Sequence, residues 1–168
     1  MTCSARSVAV TIDTPASPII VYGTVLPWST DKKLSPGTWA NNYAVALRSQ
    51  VNDWNKLAQE AGEVRLVVAG DLNQALSHDG KYYYGPKEGR DELVNALSDA
   101  KLKCLTGFTS DPVHHHSDGE HQSIDHICVS LDWAHSVKPD VLVWPNCNEV
   151  GAKPKISDHF GVCMELAD

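Results

Sequence analysis

Short β-branched runs open the chain. Ser7 to Ile12 and Pro18 to Leu26 flank Asp13-Thr14-Pro15-Ala16-Ser17, which predicts two strands joined as a hairpin through a proline-containing turn. Beyond a loop from Pro27 to Thr38, apolar residues recur every three or four positions at Tyr43, Leu47, Val51, Trp54, Ala58 and Ala61, with Gly62 just past them. That stripe predicts an amphipathic helix with a glycine stop. Glu63 to Ala69 (EVRLVVA) is an apolar run ending in Gly70-Asp71, as a buried strand delivering polar residues at its C-terminal end would be. Leu93, Val94, Leu97 and Ala100 return to helical spacing over Gly89 to Lys101. Asp91 and Glu92 in the first turn, and Lys101 and Lys103 at the end, suit the helix dipole. Ser123 to Ser130, Val141 to Trp144 and Phe160 to Leu166 are further predicted strands, with Pro139, Pro145 and Pro154 punctuating the loops. Few helices among several strands predict an α/β or α+β sandwich.

At 168 residues the chain has room for one domain, residues 1–168. The 14 Lys+Arg against 21 Asp+Glu leave a net charge of −7, which argues against sequence-independent coating of nucleic acid by surface cations. A bound divalent cation could reverse the sign at one place. Cys3, Cys104, Cys128, Cys147 and Cys163 are scattered and form no C-x-x-C pair, which fits a reduced chain. The N-terminal residues do not resemble a secretory signal, and no stretch approaches eighteen apolar residues. A cytoplasmic protein without a membrane anchor is expected.

Polar residues sit against strand sequence in three places: Asp71 with Asn73, Asp125 with His126, and Asp158 with His159. If the backbone stays extended past Gly70, Asp71 and Asn73 point the same way. Each place also has a plain structural reading: a strand ending in a turn, a satisfied polar pair on a half-buried strand, and a cap. The histidines His114, His115, His116 and His121, with Asp118 and Glu120, are expected to lie in a solvated loop, since their spacing matches no closed zinc site. Lys81, Lys87 and Arg90, interleaved with Tyr82, Tyr83 and Tyr84, form either a surface loop or a strip that grips a phosphate-bearing substrate.

Taken in order, GDLN at 70–73, SIDHI at 123–127 and SDHF at 157–160 resemble the C-terminal signature of the endonuclease/exonuclease/phosphatase superfamily, the fold of pancreatic-type deoxyribonucleases. The resemblance runs from about Val8 to Leu166. It implies an α+β fold, an αββα sandwich of the deoxyribonuclease type, here apparently lacking its N-terminal half. It also implies metal-dependent hydrolysis of phosphodiester bonds, with magnesium or manganese as cofactor and nucleic acid as a substrate. By the resemblance His159 is the imidazole at the scissile phosphate and Asp125 orients it. Asp158 is a metal ligand, Asp71 positions or deprotonates the attacking water, and Asn73 donates its amide to a phosphate oxygen. His126, on the other side of an extended strand from Asp125, is expected to be structural or at the rim of the site.

The sequence departs from that family in two respects. A metal-binding Glu in a Q-E motif at a strand end is missing, because Gln59-Glu60 falls inside the first predicted helix. In VYGTVLPW, Val25 follows Thr24 where many relatives have a histidine, so Tyr22, Thr24 or Trp28 are left as alternative substrate contacts. The missing half would leave an apolar face and so a tendency to dimerise. The competing readings are a catalytically incomplete fragment or binding module that keeps the fold, and a phosphatase or sphingomyelinase-like lipid phosphohydrolase.

Overall fold

The computed structural model describes residues 6–29, 39–60, 65–77, 84–136, 138–144 and 159–167. Strands β1 (Ser7–Ile12), β2 (Ile19–Val25), β3 (Arg65–Asp71), β4 (Leu102–Cys104) and β5 (Asp125–Ser130) build one sheet in the order β1-β2-β3-β5-β4. The predicted hairpin is present, with β1 and β2 antiparallel. The long helix α1 (Trp39–Glu60) then carries the chain to β3, which lies parallel to β2. The antiparallel β5 separates β3 from β4. A second sheet of two antiparallel strands pairs β6 (Lys138–Trp144) with β7 (Gly161–Ala167).

Strand periodicity divides the large sheet into two faces. Ile20, Tyr22 and Leu26, with Leu66 and Val68 of β3 and Cys128 of β5, pack against Tyr43, Leu47 and Trp54 of α1 and Leu93 and Leu97 of α2 (Lys87–Asp99). Tyr22 and Trp54 meet edge to face, with ring centroids 6.3 Å apart. On the other face Val67 and Val129 join Leu105, Trp133 and Ala134, and Met164 of β7 packs against them. Towards β1 that face is open: Val8, Val10 and Ile12 are 66%, 55% and 48% exposed.

Four short elements were invisible to periodicity: β4, a 3-10 turn over Phe108–Ser110, α3 (Pro112–His116) and α4 (Leu131–Ser136). The dipole argument for α2 needs correction. The helix stops at Asp99, Lys101 takes a left-handed conformation (φ 53°), and Lys103 belongs to β4, so no basic residue stands in the last turn. Pro139, expected in a loop, pairs with Leu166 inside β6. Gly62, Pro145, Pro154, Asp158, Lys81, Tyr82 and Tyr83 lie outside the described residues. Among the described residues, no helix is long and apolar enough to cross a membrane.

Candidate functional site

Asp71 is the last residue of β3 and Asp125 the first of β5, and the antiparallel register makes them direct cross-strand partners. Two carboxylates in that relation repel each other, and a retained proton or a positive neighbour relieves the repulsion. His159, on the short segment leading into β7, supplies an imidazole whose Nδ1 is 2.7 Å from Asp125 Oδ2. One ligand atom from each of Asp71, Asp125 and His159 lies within 4.8 Å of the others, the one such group among the described residues. The side chains of His159 and Asp125 are 34% and 31% exposed, open enough to meet a substrate.

The end of β3 is rigidly held. Gly70 has φ 142°, and a Cβ there would fall on the Thr24 carbonyl of β2, so only glycine lets the two parallel strands approach. The Leu26 N–H donates to the Asp71 carbonyl and the Leu72 N–H to the Ile124 carbonyl. From α1 the buried Tyr43 hydroxyl donates to the Leu72 carbonyl at 2.9 Å. Burial pushes that phenol well above its usual range, so it stays a donor.

Asn73 does not continue an extended strand, as it has φ 49°. Its backbone N–H donates to Asp71 Oδ1 (3.0 Å), and its Nδ2 donates to Asp71 Oδ2 (2.7 Å) and to the Leu26 carbonyl (2.9 Å). Both amide hydrogens are therefore engaged, and the residue is 2% exposed. Burial, and after it the nearby Asp125 carboxylate, raise Asp71 above the usual carboxylate range, while Asn73 and His159 pull the other way.

Tyr22 and Thr24, the alternative substrate contacts, are corrected by the structure. Both point to the helical face of β2, where the Tyr22 hydroxyl donates to Asp53 Oδ2 and the Thr24 hydroxyl to Gln50 Oε1. Tyr22 is fully buried and Thr24 5% exposed, so the core holds them away from the acidic group. Val25 is the β2 residue in register with Asp71. His126 is interior and not at the rim: Nε2 is 2.8 Å from the Gln74 carbonyl, and Nδ1 is 3.3 Å from Thr106 Oγ1. It braces the turn that follows Asp71.

Sequence reasoning missed what surrounds these residues. A cleft of about 380 Å³ opens beside Asp125 and His159, walled by Tyr84, His121, Gln122 and Phe160. The Gln122 amide is shut from solvent, and neither of its polar atoms has a hydrogen-bond partner among the described residues. The buried Asp111 carboxylate fixes the loop above: it accepts from the N–H groups of Val113 and His114 at the start of α3, and from the N–H and hydroxyl of Ser123. The histidine-rich run is thus a capped helical turn, and its histidines and acidic neighbours form no metal-holding group among the described residues. An Asp preceding Pro112 was the available signal.

No family model and no curated protein matches the sequence. Solved structures do. The chain superposes on a 3'-5' exonuclease from Neisseria meningitidis with a TM-score of 0.64 at 21% identity, covering 96% of this chain and 64% of that one. An AP endonuclease from Archaeoglobus fulgidus gives 0.63 at 15% identity, covering 96% and 65%. A Neisseria 3' phosphatase bound to a product DNA hairpin gives 0.60 at 16% identity, again 96% and 65%. The chain spans about two thirds of the length of these structures. Helices on one face of a large sheet and a second, smaller sheet on the other thus have their counterpart in a known architecture, and the chain has the fold of the endonuclease/exonuclease/phosphatase superfamily.

Proposed function

We propose that this chain hydrolyses phosphodiester bonds of nucleic acid with the help of a divalent cation, and that Asp71, Asp125 and His159 carry the reaction. The observation behind this reading is the cross-strand carboxylate pair joined by an imidazole at one end of the sheet. Carboxylate oxygens suit magnesium or manganese, and a cation between Asp71 and Asp125 would relieve their repulsion. Asp158 is next to His159 in sequence and is proposed as a further ligand on the sequence pattern alone. A bound cation would neutralise the phosphoryl oxygens and so make the phosphorus attackable.

The protein's own groups have separable tasks. Asp125 holds a proton on His159 Nδ1, which fixes the ring and leaves Nε2 to exchange a proton or contact a phosphate oxygen. Asp71, raised by burial, is suited to take the proton of a water held between it and His159. Asn73 acts through Asp71, clamping both of its oxygens, and this replaces the direct phosphate contact the sequence pattern implied. The Neisseria structure with a DNA hairpin supports nucleic acid as the substrate class.

The test is magnesium- and manganese-dependent cleavage of supercoiled plasmid and of a 3'-phosphorylated DNA hairpin, comparing the chain with His159→Ala. Loss of about 10²- to 10⁴-fold in the variant is expected, the usual reach of a positioned acid–base group. Equal rates in both proteins, or no metal-dependent product from the folded parent, would overturn the proposal.

A further inference from the structure

A second reactive arrangement lies on the helical side of the sheet, away from the acidic group. Cys104 of β4 and Cys128 of β5 are cross-strand partners, 24 residues apart in sequence, and both are free thiols. The Leu105 N–H donates to the Ile127 carbonyl and the Leu131 N–H to the Lys101 carbonyl. These bonds mark 105/127 and 101/131 as hydrogen-bonding rungs, so strict alternation makes 104/128 a non-hydrogen-bonded pair. Such pairs have Cα atoms about 4.5 Å apart with side chains closest, inside the roughly 4.4–6.8 Å range that a disulfide spans.

The pair can also be reached. Cys104 forms part of the wall of a cleft of about 380 Å³ between α2 and the 3-10 turn, lined by Leu97, Lys101, Lys103 and Phe108, while Cys128 is fully buried behind it. A small uncharged oxidant fits this cleft. Cys104 is the more acidic thiol, because Cys128 hydrogen-bonds its sulfur and the His126 ring lies 3.6 Å away, while Cys128 is pushed up by the same contact. The outer sulfur is therefore the nucleophile and the inner one the resolving thiol.

We propose that Cys104 and Cys128 form a modification site at which a hydroperoxide entering this cleft converts two thiols into a cross-strand disulfide. Cys104 sulfur attacks one peroxide oxygen; the O–O bond breaks and hydroxide leaves, taking up the Cys104 proton as water. Cys128 sulfur then attacks the resulting sulfenic acid. The S–S bond forms, the S–O bond breaks, and the departing hydroxide takes the Cys128 proton as a second water. Two thiols are oxidised and one hydrogen peroxide is reduced to two waters.

The native full chain, treated with stoichiometric hydrogen peroxide, alkylated and mapped by mass spectrometry without reductant, tests this. Two of the five cysteines should escape alkylation, joined as one 104–128 linked peptide about 2 Da lighter than its separate parts and released by a reducing agent. Cys128→Ser should leave Cys104 as a sulfenic acid that dimedone traps, and Cys104→Ser should give neither product. The parent chain carries the test even if a variant fails to fold. Oxidation of exposed Cys163 with no 104–128 link, or the link forming as readily in urea as in the native chain, would overturn the proposal.

Discussion

The two faces of the large sheet use the same strands for opposite ends. On the helical face Tyr22, Leu66, Val68 and Cys128 are 2% exposed or less and are packed into the core. On the other face the residues that alternate with them include Asp71, Asp125, Val8 and Val10, all partly or largely open. A period of two thus sorts one strand into a hydrophobic wall and a chemical surface, and a residue's parity predicts which kind of damage its loss does.

Leu66→Ala should break the packing side, costing about 2–5 kcal/mol in chemical denaturation, the usual range for a buried leucine, while the molecules still folded keep their rate. Unchanged stability would show that the helical face is not the core described above. A smaller effect should come from pH. In the metal-free chain the raised Asp71 binds protons more tightly folded than unfolded, so stability should fall as pH rises from the ordinary carboxylate range through the raised value. Asp71→Asn should flatten that segment of a pH series of melting curves, and a slope that persists would place its origin elsewhere. Val10→Lys, on the open side of the edge strand, should change stability by less than about 0.5 kcal/mol. A loss comparable to that of Leu66→Ala would mean that Val10 is covered.

Long periodic segments were legible in the chain. The α1 stripe placed Tyr43, Leu47 and Trp54 in the core, although Leu57 packs where Ala58 was expected. Three-residue β4 and six-residue α4 are too short for any period to show, and α3 hides in a polar run that only its Asp111 cap explains. At the site, the pattern of three motifs put Asp125 and His159 on the same chemistry, and the structure brings them together from 34 residues apart. The direction of Asn73 was not legible, because a left-handed backbone after Gly70 reverses the side chain that an extended one would have sent outward. Tyr22 and Thr24 were misplaced by parity: the adjacent set Val21, Gly23 and Val25 faces the site side. The Cys104–Cys128 pairing exists only in the register of β4 with β5, which no spacing rule reveals.

The four hydrogen bonds gathered by Asp111 bear on how the cleft exchanges its contents. They tie both ends of the 111–123 segment to a single carboxylate, a latch that adds to the packing of buried Pro112 and Val113. A latch of this kind releases all at once: when the carboxylate lets go, the amides of Val113, His114 and Ser123 lose protection in the same event. Gln122 and His121, which wall the cleft, ride on that segment. The wall of the cleft is therefore expected to loosen in one local cooperative opening, visible as a shared hydrogen-exchange rate at three amides.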